Sequence, residues 1–335
     1  MATVDGSACV LGLGRMGTAI ARRLLEQKVP VTVWNRSPGP MRRLAAYGAS
    51  TAPTPAAAAR SADVVLVTVE DWSATRAVLL GPDGALTAGP LTGVLIATST
   101  AAPEDLAVLA ERTTAILDVG VLGGHRHAAA GRLQLYVGGR ADVVARVQPW
   151  LNLLGRPVQH VGDLGGGVRL KLIMNFLVGV HVQVLAEAVA LADGVDLDRR
   201  LLLDVITRNG LHHPLLGLTA LRLSAEDYSA ADFRLRLMAK ELNLAVATAR
   251  QAGVELPLAE AAQRAHDTAL TLGLGDEDCA AIARVMSPTG QLRATVRHPH
   301  PTVTELNHGM PPRHTREFSP RRPPQATPGA SPAGA

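Results

Sequence analysis

Up to about residue 110, short apolar runs alternate with stretches of helical spacing. Ala8–Leu11 is apolar and turns through Gly12-Leu13-Gly14-Arg15-Met16-Gly17 into Thr18–Gln27, where apolar positions recur at helical intervals. Val31–Trp34 is a β-branched run, Met41–Tyr47 reads as a helix, Ala62–Val69 has a buried-strand pattern, and Val94–Ala97 repeats it. Strands alternating with helices predict an α/β fold with a parallel-rich sheet covered on both faces. Leu117–Val121 and Leu133–Val137 add two strands, with the Gly-rich Gly123–Gly131 between them.

After Val161 the texture changes. Gly162–Gly167 (GDLGGG) is a breaker, and Val168–Asp193 then runs on with Gly179 as its one glycine and no proline. That stretch predicts a helix of roughly 39 Å. Between Leu170 and Leu191 it is apolar nearly all round, which predicts burial within a larger core. Lys171, Asn175, His181, Gln183 and Glu187 interrupt it and argue against a membrane span. Helical patterns follow at Leu197–Arg208, Phe233–Ala252, Pro257–Thr271 and Asp276–Val285, so the second half reads as all-α.

Charge separates a third region. Pro288–Ala335 carries six arginines, two glutamates and ten of the 22 prolines, so its surplus equals the net charge of +4 of all 335 residues. Met1–Ser287 is therefore neutral, and the tail reads as disordered. A neutral body with 3% aromatic residues argues against a specific nucleic-acid partner. Cys9 and Cys279 form neither a disulfide framework nor a zinc spacing, and no metal site is evident. This cysteine usage and an N-terminus without signal-peptide features predict a cytoplasmic protein.

Gly12–Gly17 is a GxGxxG motif between a strand and a helix. Its glycines would provide a tight turn, close approach of a pyrophosphate, and helix–strand packing, while the helix N-terminus offers amides to phosphate. The second strand ends in Asn35-Arg36-Ser37, where an NAD-specific site would carry a carboxylate. A guanidinium and a hydroxyl suit a 2′-phosphate instead, which predicts NADPH (NADP) over NADH with Arg36 as main determinant. The boundaries become 1–163 for an NADP-binding Rossmann domain, 164–287 for a helical domain, and 288–335 for the tail. Lys171 and Asn175, four apart, share a helix face that is otherwise apolar. An ammonium buried there would have a lowered pKa and could exchange a proton with a reacting oxygen, whereas one reaching solvent would not.

In this order and spacing, GLGRMG, the NRSP strand end, Asp118–Gly124 (DVGVLGG), Gly167–Asn175 (GVRLKLIMN) and Phe233–Leu242 ending in Lys240-Glu241-Leu242 resemble the β-hydroxyacid dehydrogenase family. This family is 3-hydroxyisobutyrate dehydrogenase-like and related to 6-phosphogluconate dehydrogenases and imine reductases. The resemblance covers at least Cys9–Val285. It implies a Rossmann domain, a long linking helix, an all-α substrate and dimerisation domain, and a homodimer acting on a small-molecule substrate. Lys171 would be catalytic and Asn175 would organise the substrate. The cofactor would be held by Gly12, Leu13, Gly14, Arg15, Met16, Gly17, Asn35, Arg36 and Ser37, with Val69 and Thr100 beside it and Lys240 closing over it. Leu122, Gly123 and Gly124 would form the substrate loop.

Leu122 stands where the family usually has serine, which predicts weakened binding of a small acid or a less polar pocket. Backbone amides of Gly123 and Gly124 remain available to a carboxylate in this reading. Val69–Trp72 and Leu135–Gly139 resemble imine reductases, which commonly have Asp or Tyr at the position of Lys171. The reading is thus NADPH-dependent hydride transfer at a C=O/CH–OH centre. The alternatives are reduction of C=N and a catalytically inactive cofactor-binding dimer.

Overall fold

The computed structural model describes residues 4–286 apart from 88, 90, 101 and 209–213. The Arg- and Pro-rich tail expected to be disordered lies outside the described residues. The N-terminal half contributes β1 (Ala8–Leu11), α1 (Arg15–Glu26), β2 (Val31–Trp34), α2 (Pro38–Ala45), β3 (Ser50–Thr51), α3 (Pro55–Ala59), β4 (Val64–Val67) and α4 (Trp72–Leu80). It continues with β5 (Val94–Ala97), α5 (Pro103–Ala110), β6 (Ile116–Leu122), α6 (His125–Ala129), β7 (Leu133–Gly138), α7 (Ala141–Leu154) and β8 (Gly155–His160). One sheet runs in the order β3-β2-β1-β4-β5-β6-β7-β8, and every pairing is parallel except β6 with β7.

The central strands β1, β4 and β5 are wholly apolar and buried because helices cover both faces of the sheet. Successive residues point to opposite sides. Val10 and Leu66 enter one core with Ile20 and Leu24 of α1 and Leu151 of α7, while Leu11 and Val65 enter the other with Leu79 and Leu109. The expected α/β architecture is observed, with shifted ends. Helix α1 starts at Arg15 rather than Thr18, directly after its N-cap Gly14. Helix α2 starts at Pro38, a residue preset for a first helical turn. Strand β4 is shorter than the Ala62–Val69 pattern, and Thr68 and Val69 turn out over the sheet's C-terminal edge.

The remainder is helical: α8 (Gly166–Gly194), α9 (Arg199–Arg208), α10 (Pro214–Ala225), α11 (Leu235–Gln251), α12 (Pro257–Thr271) and the short α13 (Ala283–Met286). The helix expected over Asp276–Val285 is instead two 3₁₀ turns, Leu274–Asp276 and Cys279–Ile282, leading into α13. Asp278 explains the break: its carboxylate accepts from the amides of Asp232 and Ala280 and pairs with Arg222 at 3.2 Å. A third core joins Val182, Leu185 and Val189 of α8 to Met238 and Leu242 of α11 and to Ala262 and Ala269 of α12.

Helix α8 carries the chain from sheet to helices, and bare backbone lets it do so. A Cβ on Gly167 would collide with the carbonyl oxygens of Tyr136 and Asp118, and one on Gly120 with that of Gly167. The fully buried Asp118 of β6 accepts from the amides of Gly165 (2.6 Å) and Val168 (2.7 Å), which caps the helix. Complete burial of α8, expected from its composition, is not observed. Ile173, Leu177, Val184 and Leu191 remain exposed because the sheet and α11 cover only the other sides. By length and composition α8 could cross a bilayer, with a mean hydropathy of 1.7. Here it packs on β6, β7, α11 and α12 as a core helix.

Candidate active site

The cofactor-type loop lies between β1 and α1, at the C-terminal edge of the sheet where strand order reverses around β1 and β4. Gly12 adopts a φ of +95°, and a Cβ there would come 2.7 Å from Val69 Cγ1. A Cβ on Gly17 would strike the Gly12 carbonyl and the Thr68 hydroxyl, so this glycine seats α1 on the sheet. Above Gly14, by contrast, a Cβ would meet nothing within 4 Å, and α1 has neither a side-chain cap nor an acidic first turn. An open concavity at an uncapped helix N-terminus is what a pyrophosphate requires, so these residues fit a dinucleotide.

The other loop residues divide between binding and support. Leu13 is buried and Met16 packs against the sheet core. Asn35 Oδ1 accepts from the Leu13 amide at 2.9 Å, and its Nδ2 donates to the Ser37 carbonyl, so Asn35 braces the turn. Arg36 and Ser37 are exposed beside it, and Ser37 caps α2 without a side-chain bond. Arg15 reaches away from the loop: it donates to the Ala231 carbonyl and stands 3.9 Å from Asp232. On the other side, Val69 lends its carbonyl to the Ser99 hydroxyl at 2.7 Å next to the buried Thr100.

Lys171 and Asn175 lie on adjacent turns of α8, as their spacing predicts. Lys171 Nζ approaches the Thr98 carbonyl at 3.5 Å. Burial lowers the pKa of this ammonium and Lys240 pushes the same way, while Glu241 opposes both. Asn175 Nδ2 donates to Glu241 Oε2 at 2.9 Å, and Lys240 pairs with Glu241 Oε1 at 3.1 Å. Glu241 is only 3% exposed. Burial raises its carboxyl, but Lys171, Lys240 and the two donors outweigh that and hold it below the ordinary range. Lys240 also donates to the Glu70 carbonyl at 3.0 Å, and Arg236 pairs with the Glu70 side chain at 3.1 Å. The helical half is thereby tied to the Val69–Glu70 loop.

The substrate loop ends β6 and starts α6. Leu122 is half-buried, and Gly123 has a φ of +113°. Gly124 departs from expectation: its amide already donates to His127 Nδ1 at 3.2 Å and is not free for a carboxylate. The structure thus brings Lys171, Asn175 and Lys240 to one centre. Arg36 and Ser37 stand apart at the far end of the dinucleotide cleft. Sequence reading missed Glu241 as the hub of that centre, although its place beside Lys240 was a signal. Among the described residues, no three His, Cys, Asp or Glu side chains are grouped to hold a metal.

Two family models match the chain. The NAD-binding domain of 6-phosphogluconate dehydrogenase matches residues 7–162, and the NAD-binding region of NADP-dependent 3-hydroxyisobutyrate dehydrogenase matches residues 165–286. The 3-hydroxyisobutyrate dehydrogenase of Pseudomonas aeruginosa is 34% identical over 259 residues, covering 74% of this chain and 87% of that protein. The solved 3-hydroxyisobutyrate dehydrogenase of Salmonella typhimurium superposes with a TM-score of 0.76 at 27% identity, covering 84% of this chain and all of that one. Psf3 in complex with NADP+ and 2-OPP gives 0.75 at 27% identity with the same coverage. An imine reductase from Pseudomonas sp. shares the fold at a TM-score of 0.53 and 22% identity, over 84% of this chain and all of that one. This chain belongs to the β-hydroxyacid dehydrogenase family, and it is an NAD(P)-dependent oxidoreductase.

Proposed function

We propose that the protein is an NADPH-dependent reductase or dehydrogenase acting on a C=O/CH–OH centre of a small polar substrate that carries a carboxylate. The observation that carries this reading is the half-buried Lys171–Asn175–Lys240 cluster around the buried Glu241, beside the Thr98 carbonyl. The nicotinamide supplies or accepts hydride when bound; the protein supplies orientation and the proton. Lys171, with its pKa lowered by burial, donates a proton to the forming alkoxide in reduction and accepts it in oxidation. Asn175, held by Glu241, orients the substrate. Gly12–Gly17 would cradle the pyrophosphate, Arg36 and Ser37 the 2′-phosphate, Val69 and Thr100 the nicotinamide side, and Lys240 would close the cleft. Leu122 and the Gly123 amide would line the substrate pocket, the leucine making it less polar.

In this proposal residues 1–163 bind cofactor and residues 164–287 bind substrate and pair two copies as a homodimer. The buried, unpaired Cys9 and Cys279 suit a reducing cytoplasm. NADPH absorbance followed across short β-oxo acids, aldehydes and cyclic imines tests the reading. Turnover of a carbonyl substrate is expected, with Lys171→Ala slowing it by about 10²–10⁴-fold. Arg36→Ala should weaken NADPH by on the order of tenfold or more and leave NADH nearly unchanged. Turnover confined to imines and surviving Lys171→Ala would reverse the assignment. NADPH binding with no turnover on any substrate would remove catalysis from the chain.

A further inference from the structure

On the outer side of the dinucleotide loop, α1, α2 and α6 enclose a groove of about 570 Å³. Its polar lining includes Arg15, Arg22 and Glu26 of α1, Arg43 of α2, and His125 and Arg126 of α6. Four guanidiniums therefore face one carboxylate. This is a local concentration, because residues 1–287 are neutral as a whole. Among the described residues, Arg22, Arg43 and Arg126 have no carboxylate partner, and the partner of Arg15, Asp232, also pairs with Arg222 at 2.8 Å. Arg22 is steadied by the Tyr47 ring, 4.6 Å from its guanidinium carbon. His125 reports the same field: burial lowers its pKa, Arg15 and Arg126 lower it further, and Asp232 opposes them.

We propose that this groove, which meets the dinucleotide loop at Leu13, Gly14 and Arg15 and runs on beyond it, is an anion site that takes a chain of two or three phosphates on Arg22, Arg43 and Arg126. Planar guanidinium forks match phosphate oxygens two at a time. Arg22, Arg43 and Arg126 come from three different helices around the groove, so a ligand with several phosphates can meet more than one of them at once. The groove runs from Gly14 along Thr18, Arg22 and Glu26, on the side of α1 turned away from the sheet. A ligand there would touch the back of the glycine loop while the cleft holds its own cofactor. The shared chemistry is the phosphate chain, whether free or borne by a nucleotide.

The test is calorimetric titration of the full chain with tripolyphosphate while NADP+ saturates the cleft. Tripolyphosphate is expected to bind under those conditions and to weaken as salt is raised. Arg22→Ala and Arg126→Ala should each weaken it by about tenfold. Both side chains are exposed, so melting temperature and NADP+ affinity should stay at wild-type values. ATP as a second titrant separates the sources: binding equal to or tighter than tripolyphosphate assigns the site to nucleotides, and no binding assigns it to free polyphosphate. Loss of the tripolyphosphate signal under saturating NADP+ would show that the probe reads the cofactor's own cradle and would overturn the proposal. So would no binding at all, or wild-type binding in both variants.

Discussion

A carboxylate with both oxygens spoken for decides how its neighbours face, and Glu241 does this for Asn175. A carboxylate accepts but cannot donate, so the Asn175 Nδ2 must face Glu241 and Oδ1 is left for the reaction centre. In the proposed mechanism Asn175 therefore accepts a hydrogen bond, from a substrate hydroxyl or from Lys171. The charge of Glu241 also matters, because it raises the pKa of Lys171 against the lowering by burial. Glu241→Gln should thus let the Lys171 pKa fall further. Reduction needs the protonated amine, so activity is present below that pKa and lost as pH rises through it. Oxidation needs the neutral amine, so activity is gained on the same rise. Both limbs should move to lower pH in Glu241→Gln, while Glu241→Asp should stay near wild type. A pH profile of kcat/KM in each direction measures this, and limbs that do not move would show that the charge is too screened to matter. Lys171 and Asn175 were legible because i and i+4 share a helix face. Glu241 was not, because its partner lies 66 residues away and only packing of α11 on α8 joins them.

A helix places its residues only as well as its first turn is fixed, and for α8 that turn is fixed by β6. Asp118 supplies the acceptor for two amides ahead of Lys171, and the bare backbones of Gly120 and Gly167 set the depth of the seat. Asp118→Ala would leave both buried amides unsatisfied, at a cost of about 2–6 kcal/mol. The expected result is a clear drop in the thermal midpoint together with reduced kcat, since Lys171 is positioned from the same turn. An unchanged midpoint would mean that water replaces the carboxylate without penalty. Periodicity found the elements that are strongly patterned, such as β2, β5, α8 and α12. It missed the α7–β8 edge, where a proline, Pro149, sits inside the helix and exposed polar residues dilute the strand. It also read a helix through Asp276–Val285, where the side chain of Asp278 competes for the backbone. Asp118 read as part of a substrate loop, because a strand residue that caps a helix 47 positions later leaves no local signal.

At the scale of the molecule, the open question raised by α8 is what covers its outer side. Ile173, Leu177, Val184 and Leu191 form one stripe at helical spacing, and the last two are 58% and 68% exposed. Leu201 and Val205 of α9 extend the apolar surface. A contiguous apolar face of this kind marks an association surface, and obligate homodimer interfaces are the large, hydrophobic class. The all-round apolar pattern of α8 is then accounted for by two sets of neighbours, its own sheet and helices on one side and, in the proposed homodimer, a second copy on the other. Ile173 is two residues from both Lys171 and Asn175, so the stripe lies on the side of α8 opposite the reaction centre. Val184→Asp combined with Leu191→Asp places two carboxylates on the stripe without touching the core of the single chain. Light scattering after size exclusion should show a dimer for the wild type and a monomer for the variant. A monomeric wild type, or a variant that still pairs, would place the interface elsewhere and leave the exposed stripe of α8 without this explanation.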